Sequence, residues 1–163
     1  MEQKTTFRKA LQFEGHANEY LKKNPKERSA FTLALEKILG RESFKRALAD
    51  FRYELQEEVE KLRGDFREKD KDGNFKERII GEGTANASIL PVFKPGEEDK
   101  FKKKVKDMET ERLDEADAFT FKPYLVPAPK TLEFRYIEPL TGFVLDPMNE
   151  EQLDQFYLAQ EVK

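Results

Sequence analysis

The chain has 163 residues, of which 39% are charged, and it carries a net charge of −3, 14 phenylalanines, 5 tyrosines and no cysteine. Without a clear excess of cations to neutralise phosphates, the composition argues against nucleic acid as a partner, and the absence of cysteine excludes disulfides, thiolate catalysis and sulfur-ligated metals. The aromatic residues supply enough apolar surface for a folded core, whereas no segment is apolar for long enough to predict a secretory leader or a membrane-spanning helix.

Helical periodicity dominates the N-terminal part of the sequence. Residues 6–21 predict a first helix, and Pro25 suits the first turn of a second helix whose apolar stripe reaches Leu39. The stripe loses its phase at Gly40, so we expect the helix to end or bend there. Between residues 43 and 66, apolar side chains recur about every 3.7 residues and charged side chains occupy the other faces, which predicts one long amphipathic helix. That stripe consists of Phe44, Leu48, Phe51, Leu55, Val59, Leu62 and Phe66.

The middle of the sequence is polar and rich in small residues. Residues 67–100 predict a mobile turn and loop region with a polar turn around Gly73. This region holds at most a short edge strand at residues 89–93, because Pro91 lacks the N–H that a central strand needs. A charged helix is predicted to follow at residues 98–116.

An alternation of period two replaces the helical pattern in the last third. Residues 119–122 and 132–136 predict two short strands and residues 141–145 a third, with prolines between them. Asn149 is placed to cap a closing helix, with Gln152 in the reciprocal capping position.

These patterns predict an α+β fold, in which an N-terminal helical hairpin or bundle with one long amphipathic helix precedes a small antiparallel sheet and a terminal helix. The predicted divisions are a helical part at residues 1–66, the mobile region at residues 67–100, and a helix, the sheet and the C-terminal helix at residues 101–163. At this length we expect one domain overall.

The acidic turn at residues 68–74 resembles a calcium-binding loop in composition but not in spacing. If Gly73 takes the sixth position of an EF-hand loop, Lys76 falls at the ninth position and Ile79 at the twelfth, where a bidentate carboxylate is required. The pattern therefore predicts a plain polar turn, and no metal is expected.

Signals for cofactors and catalysis are equally weak. Gly81 and Gly83 begin like a dinucleotide-binding fingerprint, but Asn86 occupies the place of the third glycine, so no cofactor is expected. His16 is the sole histidine, and pairs of acidic residues arise from composition alone in a chain with 33 of them. We therefore assign no catalytic residue, and an enzyme that uses carboxylates near His16 is the third functional hypothesis.

Two groups of residues are candidates for a protein interface. The basic run of Lys102, Lys103, Lys104 and Lys106 is followed by acidic residues, which indicates either a polarised surface for a complementary partner or a solvated helix. Five aromatic residues are close in sequence, namely Phe119, Phe121, Tyr124, Phe134 and Tyr136. Either all five are internal or some anchor a partner. The two tyrosines are the better candidates for exposure, because their hydroxyl groups tolerate water.

The order of elements from Phe31 to Asn74 resembles an uncharacterised family of small tailed-phage proteins encoded near the tail genes. The resemblance lies in the long helix with its Phe/Leu/Val stripe, the Glu-rich surface and the turn at residues 69–74, and it covers about residues 26 to 125. The chain departs from the family in the Gly-rich insert at residues 81–88 and in the tail after Pro123. The resemblance implies a role in a phage particle, in its assembly or in the infected cell, and it assigns no site residue.

The leading hypothesis is a non-enzymatic accessory protein of a phage, a structural or assembly factor of the tail, that binds another protein. The alternative is an inhibitor that binds and blocks a host defence protein. We expect the partner to be a phage structural protein or a host protein, with self-association as a further option, and neither nucleic acid nor membrane. The expected location is the cytoplasm of the infected cell or the virion.

Overall fold

A computed structural model describes residues 1–161 of the chain and shows an α+β fold. In chain order the elements are β1 (Gln3–Thr5), α1 (Phe7–Lys23), α2 (Ala30–Gly40), α3 (Glu42–Phe66), β2 (Glu77–Ile80), β3 (Ser88–Pro91), α4 (Glu98–Leu113), β4 (Phe119–Phe121), α5 (Ile137–Leu140) and α6 (Glu150–Glu161). The described strands form two separate antiparallel pairs, β1 with β4 and β2 with β3. Within residues 1–161 no helix is long and apolar enough to cross a bilayer.

The chain divides into two compact units. Residues 1–50 together with the C-terminal part from Leu113 form one, here called the terminal unit, and Phe51–Arg112 form the other, here called the middle unit. The long helix α3 therefore contributes residues to both.

Phe13 of α1 lies at the centre of the core of the terminal unit. Its ring stacks on that of Phe143 at 4.4 Å between centroids and meets Phe44 of α3 edge-on at 5.8 Å. Strand β4 pairs with β1, with Phe119 opposite Thr5, and points both of its phenylalanines into this core. The predicted alternation of residues 119–122 is confirmed, whereas the partner strand β1 was not predicted.

The helix ends follow from capping side chains. The break predicted at Gly40 is confirmed, since α2 ends there and Arg41 has extended backbone angles before α3 begins. The start predicted for α2 at Pro25 is wrong. The Ser29 hydroxyl accepts from the Thr32 backbone N–H at 3.2 Å, and the Thr32 hydroxyl accepts from the Ser29 N–H at 3.0 Å, so this reciprocal cap starts the helix at Ala30.

The stripe predicted for α3 is confirmed, although its burial is uneven. Phe44 and Leu48 belong to the core of the terminal unit, while Phe51 and Phe66 are buried in the middle unit. The stripe residues between Phe51 and Phe66 are half-buried. In the middle unit, Phe101 of α4 lies 5.9 Å from Phe66 between ring centroids.

Two strands predicted in the last third are wrong. Residues 134–136 form a 3₁₀ turn that continues into α5, so Leu132 and Tyr136 are buried on one side while Phe134 between them is exposed. Residues 141–145 form a tight turn in which the Gly142 N–H donates to the Leu145 carbonyl at 2.9 Å, and Gly142 has a φ of 86° that favours glycine.

The predicted closing helix is confirmed, together with its cap. The Asn149 side chain accepts from the Gln152 backbone N–H at 2.8 Å, and the Gln152 side chain accepts from the Asn149 N–H at 3.2 Å. Where α4 ends, the guanidinium of Arg8 donates two hydrogen bonds to Asp114, at 2.6 and 3.1 Å, and these lower the pKa of that carboxyl below its ordinary value.

Replacement of Leu48 by alanine should test the core of the terminal unit. Leu48 is fully buried, so Leu48→Ala should lower the free energy of unfolding by about 3 kcal/mol. Leu33 is 49% exposed on α2, so Leu33→Ala should cost less than about 1 kcal/mol. Urea unfolding followed by circular dichroism gives both values, and equal losses would contradict the position of Leu48 in the core.

Candidate protein-binding surface

The middle unit contains a β-hairpin that the sequence predicts only in part. Strand β3 matches the predicted edge strand, but β2 was missed within a region expected to consist of turns and loops. The register of the pair places Ile79 opposite Ile89 and Arg78 opposite Leu90. Two short aliphatic pairs on either side of a Gly-rich loop are a hairpin signal that could have revealed β2.

Three backbone segments meet at the base of this hairpin, in what we call the three-segment junction. The Glu68 N–H donates to the Val92 carbonyl at 2.8 Å, and the Val92 N–H donates to the Lys76 carbonyl at 3.3 Å. The Lys76 N–H closes the cycle by donating to the Glu68 carbonyl at 2.9 Å. Each of the three residues is therefore hydrogen-bonded to the other two. These bonds fix the base of the hairpin within the middle unit.

Arg67 anchors the junction through its side chain, which is only 17% exposed. Its guanidinium carbon lies 4.6 Å from the centre of the Phe75 ring, close enough for a cation–π interaction. One terminal nitrogen donates to the Lys76 carbonyl at 3.3 Å and lies 3.7 Å from the Glu77 carboxylate. Arg67 thus joins the end of α3 to residues 75–77, which lead into β2.

The polar turn predicted at residues 68–74 is confirmed. The Asp70 carboxylate accepts from the backbone N–H groups of Asp72 and Asn74 at 2.9 and 3.0 Å, and Gly73 has a φ of 81°. This carboxylate therefore shapes the turn. Among the described residues, no three acidic or histidine side chains gather as a metal site requires.

Beyond the junction the hairpin is exposed on both faces, and we call residues 78–90 the apolar arm. Ile79, Ile80 and Ile89 are 51%, 46% and 62% exposed. Because successive residues of a strand point to opposite faces, Ile79 and Ile89 share one face and Ile80 lies on the other. From Ile79 to Phe93 the sole charged residue is Glu82, although 39% of the chain is charged.

The tip of the arm requires a glycine, and a cavity lies beside the base of the arm. Gly81 has a φ of 69°, and a Cβ there would lie 3.0 Å from the Thr84 hydroxyl oxygen, so glycine is required. A cavity of about 650 Å³ beside the base is lined by β3, by Arg63 and by the first residues of α4.

The structure separates the five aromatic residues that the sequence proposed as an interface. Phe119, Phe121 and Tyr136 are buried in the terminal unit, whereas Tyr124 and Phe134 are 38% and 44% exposed. The exposure expected for Tyr136 is wrong. Its ring packs edge-on against Tyr20 at 5.3 Å between centroids, and its hydroxyl accepts a hydrogen bond from Arg135.

The two exposed rings have contacts within the terminal unit. The Tyr124 hydroxyl accepts from the Lys37 ammonium at 3.1 Å, and that ammonium lies 4.3 Å from the centre of the tyrosine ring. Phe134 packs against Tyr157 of α6 at 4.1 Å between ring centroids. The five residues therefore do not form one surface.

The basic residues of α4 are exposed, as a charged helix face predicts. Lys102, Lys103, Lys104 and Lys106 all face solvent. Lys102 pairs with Glu98 at 3.2 Å, and the ammonium of Lys104 lies 5.3 Å from the centre of the Phe66 ring. These contacts fit a solvated helix, and whether the lysines bind a partner stays a prediction.

His16 is half-buried on α1, and one of its ring nitrogens lies 2.8 Å from the Gln12 carbonyl oxygen, to which it can donate. Its ring meets Tyr136 edge-on at 6.2 Å between centroids. Both contacts are those of a structural side chain.

Comparisons with known proteins do not assign this surface to a family. No protein-family model, curated protein or solved structure matches the chain. The residues of the arm are therefore the basis for a functional proposal.

Replacement of Arg67 should show whether the junction holds the arm. Arg67→Ala removes the contacts with Phe75, Lys76 and Glu77, so amide hydrogen exchange in β2 and β3 should accelerate about tenfold, equivalent to about 1.4 kcal/mol. Arg63→Ala is the matched control, because the Arg63 side chain also lies over a phenylalanine ring, that of Phe101, and its described hydrogen bond goes to Glu60. Equal exchange in both variants would show that Arg67 does not anchor the arm.

Proposed function

We propose that this chain is a non-enzymatic accessory protein of a tailed phage that binds another protein through the apolar arm. The observation that carries the proposal is the combination of three exposed isoleucines with a fixed base. The partner is a phage structural protein, and the chain acts as a structural or assembly factor of the tail in the infected cell or in the virion.

The energetics of the arm favour a protein partner. A two-stranded hairpin with no packed face is marginally stable in water, and exposed aliphatic side chains gain free energy when a partner covers them. The arm carries one cation, Arg78, and one carboxylate, Glu82, so it has no cationic excess to neutralise the phosphates of nucleic acid. Backbone groups along the strand edges offer hydrogen bonds that an extended protein segment can complete.

The phage context comes from the resemblance of residues 26 to 125 to a family of tailed-phage proteins. The Gly-rich insert at residues 81–88, where the chain departs from that family, forms the tip of the arm and the start of β3. The arm is therefore the part of the chain in which partner specificity is expected to differ from that of the family.

The test compares the wild-type chain with two variants during infection. Wild-type chain carrying an affinity tag should co-purify with virions in a fixed ratio to the tail proteins. The double variant Ile79→Lys with Ile89→Lys should reduce this association at least tenfold, because it places two charges on the apolar face. Leu33→Lys is the matched control, since Leu33 is equally exposed but lies on α2, and its association should be unchanged.

Two other results would alter the proposal. Association of the double variant at the wild-type level would exclude the arm as the contact surface. Absence of the wild-type chain from virions, together with capture of one host protein that the double variant fails to capture, would establish the inhibitor alternative in place of the assembly factor.

A further inference from the structure

The backbone hydrogen bonds show which edge of the arm is free. Residues 74–80 form backbone hydrogen bonds with two different segments, and both segments lie along the same edge. Asn74 and Lys76 pair with residues 68–70, and the Lys76 carbonyl, followed by β2, pairs with residues 88–92. Hydrogen-bonded and outward-facing residues alternate in an antiparallel ladder, so Phe75, Glu77 and Ile79 direct their backbone groups away from both partners. This leaves a continuous free edge along residues 75–79.

The other outer edges at the junction are less suitable for pairing. The outward position of β3 opposite Glu77 is Pro91, which has no N–H to donate, and prolines of this kind protect edge strands from pairing. The outward residues of the third segment are Arg67 and Lys69, two cations that an incoming strand would have to accommodate. The free edge of β2 is therefore the open one.

We propose that two copies of this chain associate by antiparallel pairing of β2 with β2, with Ile79 of one copy directly opposite Ile79 of the other. The inference rests on the arm being the contact surface of the proposed function, and it names a second copy of the chain as one of the proteins that the arm binds.

The charges on β2 select this register. A two-fold pairing centred on Glu77 places two carboxylates opposite each other, and one centred on Arg78 does the same with two guanidinium groups. Like charges directly opposite destabilise a sheet. The pairing centred on Ile79 places Arg78 opposite Ile80, both within β2, and is free of both conflicts.

The resulting sheet has four strands and a continuous apolar face. Ile79 and Ile89 are cross-strand neighbours within one copy, so the two copies place four isoleucines in one row. Three or more strands with an apolar face reach the stability that a lone hairpin lacks. A contact of this size is smaller than a standard permanent interface, so the association should depend on protein concentration.

Single cysteines provide a direct test, because the chain has none of its own. Directly opposite residues of a hydrogen-bonded pair have Cα atoms about 5.5 Å apart, within the span of a disulfide. Ile79→Cys should therefore form a covalent dimer under mild oxidation. Ile89→Cys is the matched control, because it has similar exposure on the same face but lies three strand spacings, about 14 Å, from its equivalent. Its crosslinking should be at least tenfold slower.

Sedimentation equilibrium of the full chain gives an independent readout. The wild-type chain and Leu33→Lys should show a mass that rises towards a dimer with concentration, whereas Ile79→Lys should stay monomeric. Crosslinking of Arg78→Cys faster than Ile79→Cys would overturn the register. A monomeric wild-type chain with equally slow crosslinking at positions 79 and 89 would overturn the inference.

The two proposals fail separately. If the arm is required for association with virions but the chain stays monomeric, the proposed function stands and the self-pairing is wrong. If the chain dimerises through Ile79 but no phage or host protein depends on the arm, the self-pairing stands and the proposed function is wrong.

Discussion

The cycle of three backbone hydrogen bonds among Glu68, Lys76 and Val92 is the constraint on which the candidate surface depends. The arm packs against no core, so its direction is determined at its base, by this cycle and by Arg67. A contact surface that is ordered before it meets a partner loses less conformational entropy on binding than a flexible loop does. The same isoleucines on an unanchored loop would bind more weakly.

The helices of this chain are largely predictable because their signals are local. The stripe of α3 stands out against charged faces, and the Asn149 cap lies next to the helix that it starts. Strand β2 has a weaker local signal. It is exposed on both faces, so no alternation of buried and polar residues marks it, and the aliphatic pairs on either side of the Gly-rich loop are the pattern that indicates its pairing with β3.

The error at residues 132–136 has a different cause. Leu132 and Tyr136 are four residues apart, a spacing that fits both a strand and a helical turn, and Phe134 between them made the strand pattern appear complete. Because Phe134 is exposed and Tyr136 is buried, the same error misplaced part of the proposed aromatic interface.

Because the arm carries few charges, its binding should depend little on salt concentration. Ions in solution screen contacts between exposed charges over about 10 Å at 0.1 M salt, and most of the surface of this chain is subject to that screening. The arm contributes two charged side chains, Arg78 and Glu82, to this surface. Added salt does not weaken the burial of aliphatic side chains, so a contact made by the arm retains its strength where pairing through the charged faces of the helices is lost.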